Sequence, residues 1–419
     1  MRVLWLSNKI LSEKDSGTTG TWLDAIAQGL VRSGEVQLGN ITQGKVACLT
    51  RQDYGAIQQW VVPAHKPGRD GLPPTSVVVE IIKAVEQFSP DLVHIWGTEG
   101  YWGLLTARWI IRTPALLETQ GLKGAIARVF AGGLSIREQL KCVGVKEIVR
   151  GTTIAQQKQQ FERWGRFERE IIRGHQFIAT QSEWMRAQVA SLNLSGKIVH
   201  VDRLLRYSFY TSSPWLPSNS QRIFSLLAYA SPFKGLHVGL RALGILKHHF
   251  PNIQIRIGGN IQKTGIRQDG YVRWLNRLIR KLNIVDNVKW LGPLSASEIV
   301  SELQSCAATV IPTFIENCCT SMQEAMMIGT PLVVSYVGGL PSLAKDEDSA
   351  LFFPAGDAEM CAYHLERLLT DRALAERIGR RAREVALVRN DPERIVRNQI
   401  EIYQQVLADI NNGPAGMSE

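Results

Sequence analysis

The stretch ATVIPTFIENCCTSMQEAMMIGTPLVVSY, residues 308–336, reads as a strand, a loop, a helix and a second strand. Its two flanking runs are apolar on consecutive residues instead of alternating, which marks strands covered on both faces and hence a parallel sheet. Gly329 ends the helix, and Pro331 prevents its continuation. The loop after the first strand then opens at the carboxyl edge of the sheet, where open α/β sheets bind ligands. That loop holds Glu316, Asn317, Thr320 and Ser321, with Glu324 in the helix behind it.

The same unit recurs outward in both directions. Upstream in the second half lie FSLLAYA (224–230), QIRIGGN (254–260) and NVKWLG (287–292), and downstream lies ALFFPAG (350–356). The first half offers VLWLS (3–7), VACLT (46–50), WVVPA (60–64), DLVHIWG (91–97), ALLETQG (115–121), FIATQS (177–182) and KIVHVD (197–202). Between the halves, TSSPWLPSNS (211–220) has the Pro/Ser content of a linker. The pattern predicts an α/β chain of two doubly wound, Rossmann-like domains, residues 1–210 and 221–390, facing across a central cleft. A last helix over 391–411 follows a break and is expected to cross back onto the first domain, with 412–419 a flexible tail.

Composition narrows the class. With 45% hydrophobic and 21% charged residues in 419, the chain is well cored. Its six cysteines are scattered without C-x-x-C pairs, which argues against a disulfide framework and a zinc site. No window reaches the ~18 apolar residues of a spanning helix and the start lacks a signal-peptide core, so the expected location is cytoplasmic. The net charge of +10 is uneven: residues 1–210 hold 26 Lys and Arg against 18 Asp and Glu. Within them, 123–173 carry eleven basic residues against five acidic and include the apolar AIARVFAGGL (125–134). Basic charge interleaved with apolar side chains suits an anionic membrane surface, on the inner face of the cytoplasmic membrane, better than nucleic acid, for which there is no binding motif. A solvated basic helix is the plain alternative.

Three loops are expected to line the cleft. The first contains Gly17 and Gly20, which let backbone approach a ligand just before a helix. The second, LLAYASPFKGLHVGLRAL (226–243), places Ser231 to cap, Pro232 at the first helical position and Lys234 in the first helical turn. A lysine there faces the positive end of the helix dipole, so it predicts an anion beside it. The third is 311–331. Ser321-x-x-Glu324 fits a capping box, in which Glu324 would only satisfy its own helix. The competing reading sets Glu316 and Glu324 with Lys234 and the amides near Thr320 and Ser321. Carboxylates take sugar hydroxyls, whereas amides and ammonium take phosphates, and a nucleotide sugar contains both.

On SPFKG (231–235), FIENCCTSMQEAMMIGTP (314–331), VVSYVGGLP (333–341) and ALFFPAGD (350–357), the chain resembles the retaining GT-B glycosyltransferases of the group 1 (family 4) type. The first half matches more loosely, through PDLVHIWGTEG, TQGL and RFEREIIRGHQFIATQSEWMRAQV, which resemble a bacterial polysaccharide-building branch. The resemblance implies that Glu324 binds the ribose hydroxyls, that Glu316 lies by the donor sugar and that Lys234 stabilises the diphosphate. Gly338 and Gly339 are expected to keep backbone close to the donor. Trp96 and Trp102 are expected to flank an acceptor-side loop with Glu99, Gln120 and Gly121. It further implies transfer from a nucleotide-sugar, UDP favoured, to a saccharide or lipid-linked saccharide. Retention would come from front-face attack, with no metal or other cofactor required.

Two departures stand out. The family's Gly-Arg-Leu before the lysine loop is Ala228-Tyr229-Ala230 here, and Gln120-Gly121 stands where many relatives carry histidine. Tyr229 and Ser231 offer hydrogen bonds but no second charge. Either diphosphate binding is weaker, or a basic residue from elsewhere substitutes. A sugar phosphorylase or nucleotide-sugar epimerase on the same fold, and a non-catalytic sugar-binding protein at the membrane, are the rival readings. A Rossmann dehydrogenase is disfavoured because no dinucleotide fingerprint occurs.

Overall fold

In the computed structural model, which describes residues 1–12, 20–261 and 268–412, the apolar runs form two separate sheets. The first comprises β1 (Arg2–Leu6), β2 (Gln37–Gly44), β3 (Thr50–Arg51), β4 (Gln58–Pro63), β5 (Leu92–Trp96), β6 (Ala115–Glu118), β7 (Phe177–Thr180) and β8 (Lys197–His200). Their order is β3-β4-β2-β1-β5-β6-β7-β8, all parallel except the short edge strand β3. The second comprises β9 (Arg222–Leu226), β10 (Gln254–Gly258), β11 (Val288–Gly292), β12 (Ala308–Ile311), β13 (Leu332–Ser335) and β14 (Leu351–Phe353), in the order β11-β10-β9-β12-β13-β14. Its neighbours all run parallel.

Burial explains why consecutive apolar residues are needed. In β1, Leu4 and Leu6 join one core with Ile81 and Phe88, whereas Val3 and Trp5 point into another with Ile26 and Leu30. The second core also takes Ile402, Tyr403 and Val406 from the final helix, Pro392–Asn411. That helix therefore crosses back onto the first sheet. Trp5 Nε1 donates to Tyr403 Oη at 3.2 Å, and Lys197 pairs with Asp409.

Two expectations are corrected, and the linker proves to be anchored. VACLT is not a strand over 46–49; the strand is β2, QLGNITQG, which looks too polar for an interior position. Its buried Asn40 accepts from Ser7 Oγ at 2.9 Å and donates to Gln59 Oε1 at 2.9 Å, so burying Asn40 costs no lost hydrogen bond. The linker 211–220 is pinned, since buried Trp215 donates from Nε1 to Cys306 O at 2.7 Å. Finally, the run AIARVFAGGL is not a free apolar surface: Phe130 and Leu134 are buried in the second domain's core.

The chain passes between the domains twice, and one buried side chain holds both crossings. Asn390 Nδ2 donates to Arg203 O at 2.7 Å and to Gln323 Oε1 at 2.8 Å. Among the described residues, no helix is long and apolar enough to cross a membrane.

Candidate functional site

The loop after β9 leads into a short 3-10 turn, Pro232–Lys234, and then into helix Leu236–Leu246. Lys234 thus precedes the α-helix instead of lying in its first turn, and the Ser231 side chain makes no cap bond. Gly235 joins the two elements at φ +70°, where a Cβ would lie 1.7 Å from Pro312 O. That close approach seats the lysine loop against the end of β12. The anion expected beside Lys234 is Glu316, whose carboxylate forms an ion pair with the ammonium. Burial opposes the charge on Lys234, but Glu316 and Tyr229 outweigh it and raise the pKa above that of an ordinary lysine. Half-exposed Tyr229 lies in the same electrostatic neighbourhood: burial raises its phenol pKa, as do Glu316 and Glu99, against Lys234.

Helix Thr320–Ile328 carries no side-chain cap; its N-cap position is Cys319. The capping box that Ser321 and Glu324 could have formed is therefore not made. Glu324, nearly buried, pairs instead with Arg206 Nη2 at 2.7 Å. At the same helix start, Arg203 Nη1 donates to Thr320 Oγ1 at 3.3 Å, and its Nη2 donates to Gln120 Oε1 at 3.2 Å. Arg203 is only 7% exposed, and its guanidinium lies 3.9 Å from the Trp22 ring centroid. A buried cation against the positive end of a helix is doubly unfavourable without an anion. Ser321 Oγ lies 3.2 Å from Cys319 Sγ. Burial pushes the Cys319 thiol up to about 12 and also raises that of Cys318, so neither is a ready nucleophile.

Arg203 and Arg206 are the two site residues that sequence reading missed. Their signal is RLLR, two cations flanking two leucines between the last strand of the first sheet and the linker. From this segment the two guanidiniums reach across to the helix that carries Thr320 and Glu324.

Other predicted residues have structural duties. Gly338, at φ +51°, lies where a Cβ would come within 2.0 Å of Glu316 O, and Gly339 N donates to that same oxygen at 2.9 Å. The glycines hold the Glu316 loop in place. Asn317 is used between domains: Nδ2 donates to Gln120 O at 2.8 Å and to Gln181 Oε1 at 2.7 Å, and Oδ1 accepts from Ser182 Oγ at 2.6 Å. Gly20 adopts φ +84° just ahead of helix Trp22–Arg32, while Gly17 lies outside the described residues.

The opposite wall is built differently. Glu99 Oε1 accepts from Gly121 N at 2.6 Å, and Lys123 Nζ donates to Glu99 O at 2.7 Å. Burial raises the Glu99 pKa, against the backbone bonds and the charges of Lys123 and Arg203. Trp96 and Trp102 do not face the cleft. Trp96 is buried and stacked on His94 at 4.2 Å, and fully buried Trp102 donates to Asn8 Oδ1 at 2.9 Å. Ion pairs and hydrogen bonds join Lys234 to Glu316, Glu324 to Arg206, and Thr320 to Gln120 through Arg203 at the junction of the domains, with Tyr229 in electrostatic reach of Lys234, Glu316 and Glu99, and both tryptophans are in the core.

Comparison with known proteins bears on the fold and on the second half of the chain. Residues 214–385 match the family described as Glycosyl transferases group 1. A D-inositol 3-phosphate glycosyltransferase of Corynebacterium diphtheriae is 29% identical over 160 residues, covering 38% of this chain and 36% of that protein. A glycogen synthase of Mycobacterium tuberculosis is 30% identical over 151 residues, covering 36% and 34%. The matched stretch thus spans only about a third of these curated relatives. The fold as a whole is similar to sucrose-phosphate synthase from Thermosynechococcus elongatus, with a TM-score of 0.74 and 16% identity over 97% of this chain and 99% of that one. It is also similar to Anabaena HepE in complex with UDP and glucose, with a TM-score of 0.66 and 16% identity over 97% and 100%. The two facing parallel-sheet domains are the GT-B architecture, and the stretch 214–385 is similar to the group 1 glycosyl transferases.

Proposed function

We propose that the chain transfers a sugar, with retention of configuration, from a nucleotide-sugar, UDP favoured, to a saccharide or lipid-linked saccharide acceptor during cell-surface polysaccharide synthesis. One observation carries the reading: the uncapped start of helix Thr320–Ile328 is met by buried Arg203, while Lys234 stands by Glu316 on the loop just before it. Breaking the sugar–diphosphate bond builds negative charge on the leaving phosphate. Aligned amides and two cations stabilise that charge in a water-poor cleft, an effect often worth several kcal/mol. Arg203 supplies the charge that Ala228-Tyr229-Ala230 lacks.

The site's own side chains resemble parts of the proposed substrate. Glu316 occupies Lys234 as a phosphate would, and Arg206 occupies Glu324, the carboxylate suited to ribose hydroxyls. A donor exchanges these internal partners for its own groups, which releases Glu316 toward sugar hydroxyls and Arg206 toward a new acceptor. On this reading the acceptor hydroxyl attacks on the face the phosphate leaves, and the phosphate takes the proton. That the similar fold of Anabaena HepE is known in complex with UDP supports the choice of base by analogy of fold alone.

The test is thermal stabilisation by UDP, GDP and ADP. A nucleotide at 100 times its dissociation constant should add about 2.7 kcal/mol. The expected outcome is a shift with UDP that Glu324→Ala and Lys234→Ala both reduce. No shift with any nucleotide would favour the phosphorylase-like or non-catalytic readings.

A further inference from the structure

Helices Ile136–Lys141 and Val145–Arg150 form a hairpin ahead of the long helix Ile154–Arg173. Ile136 and Leu140 are four residues apart on one helix, and Val145, Ile148 and Val149 follow three- and four-residue spacing on the next. Each helix therefore carries one apolar stripe. In a helix packed on a core that stripe faces inward. Here all five side chains are exposed, between 58% and 79%.

The inward faces are instead taken by acids. Glu138 pairs with Arg241 at 2.7 Å, and buried Glu147 pairs with Arg273. These are the only acidic residues between 135 and 153, and both are turned in and neutralised by arginines of the second domain. Arg137, Lys141 and Arg150 are turned out and form no ion pair among the described residues. The outer face thus combines aliphatic side chains and cations with no carboxylate among them.

We propose that this face docks on an anionic bilayer. Charge complementarity selects that occupant. Two copies of the chain face to face would oppose like charges, and single-stranded nucleic acid calls for aromatic stacking, whereas this stripe is entirely aliphatic. An anionic lipid surface takes aliphatic and cationic groups together. The hairpin is rooted beside the donor-side loops: Gly132 O is 2.9 Å from His237 Nε2, and a Cβ on Gly132 would lie 2.1 Å from Pro232 O. Docking therefore holds the second domain, with its Lys234 loop, at the lipid surface, although the hairpin belongs to the first half of the sequence.

The experiment is co-sedimentation of the full chain with vesicles of equimolar phosphatidylcholine and phosphatidylglycerol, against phosphatidylcholine alone. Wild type should partition onto the anionic vesicles and release with salt. The triple variant Arg137→Glu, Lys141→Glu, Arg150→Glu should lose about a hundredfold in partitioning or more. Ile136→Ser, Val145→Ser, Val149→Ser should lose about tenfold or more at unchanged charge. Both variants should keep the wild-type melting temperature and nucleotide-induced shift, which separates failure here from failure of the donor reading. Equal binding to both vesicle types, or variants that sediment like wild type, overturns the proposal. So does a concentration-dependent dimer that the serine variant dissociates without any vesicle binding, which would assign the face to a second copy.

Discussion

The two walls of the cleft handle charge in opposite ways. On the second-domain wall, Lys234 with Glu316 and Glu324 with Arg206 are side chains holding side chains. On the first-domain wall, carboxylates sit on backbone amides: Glu99 on Gly121 N, and Glu168 on Gly124 N at 2.7 Å. Side-chain pairs can exchange partners at the cost of a rotamer change, whereas a carboxylate seated on amides cannot leave without stranding donors of the fold. One wall is built to swap ions for a ligand, and the other is built to keep a loop in place.

The sharpest way to break that contrast is Lys234→Ala. If the lysine is an exchangeable counter-charge, donor turnover should fall about a hundred- to a thousandfold, the scale of losing one preorganised charge stabiliser. The fold should survive, and both are checked by sugar-release kinetics and a melting curve. A loss of folding without a kinetic defect would make the pair structural.

Glu168→Gln probes the fixed wall. Burial holds the Glu168 carboxyl up at about 7 against an ordinary 4.5, despite its bonds from Gly124 and Lys123. A raised value means that ionisation is less favourable in the folded chain. Stability fully present below 4.5 is therefore lost as pH rises through about 7. The loss approaches 3 kcal/mol, on the order expected for a shift of this size. Glutamine removes that titration, so the melting temperature of the variant should gain on wild type between pH 5 and 8, while wild type declines, about as the linkage predicts. Parallel pH profiles would sink the assignment.

Arg203→Ala comes next. It should weaken UDP by about tenfold to a hundredfold, the scale of a charge-assisted bond, and uridine hardly at all, as titration calorimetry would read. Equal weakening of both would make Arg203 a domain clamp and not a phosphate ligand. The smallest effect is expected at Trp96→Phe. With the indole buried against His94, acceptor KM should stay within about twofold while the melting point falls slightly, the mark of a packing change. A large KM change would restore an acceptor role.

How much was legible follows the same division. The second-domain wall was read from FIENCCTSMQEAMMIGTP and SPFKG because strand, loop and helix signals there are local, and the loop after a parallel strand must open at the sheet's carboxyl edge. The first-domain wall was read poorly. Trp96 is chemically suited to a sugar platform, and only packing shows that its ring is stacked in the core. β2 was misplaced because its polar residues carry no apolar signal until Ser7 and Gln59 are brought beside Asn40.

By itself, the sequence determined the two parallel-sheet domains, the returning C-terminal helix and the placing of the carboxylates and lysine in the segments after β9 and β12. Each rests on periodicity or on neighbours a few residues apart. Only the tertiary structure decided who partners whom. That Glu324 meets Arg206 and not its own helix's amides, that Arg203 reaches Thr320, and that the hairpin at 136–150 turns its aliphatic side outward depend on residues about a hundred positions apart. Electrostatic and packing energies fall with distance in space, and no local pattern encodes that distance.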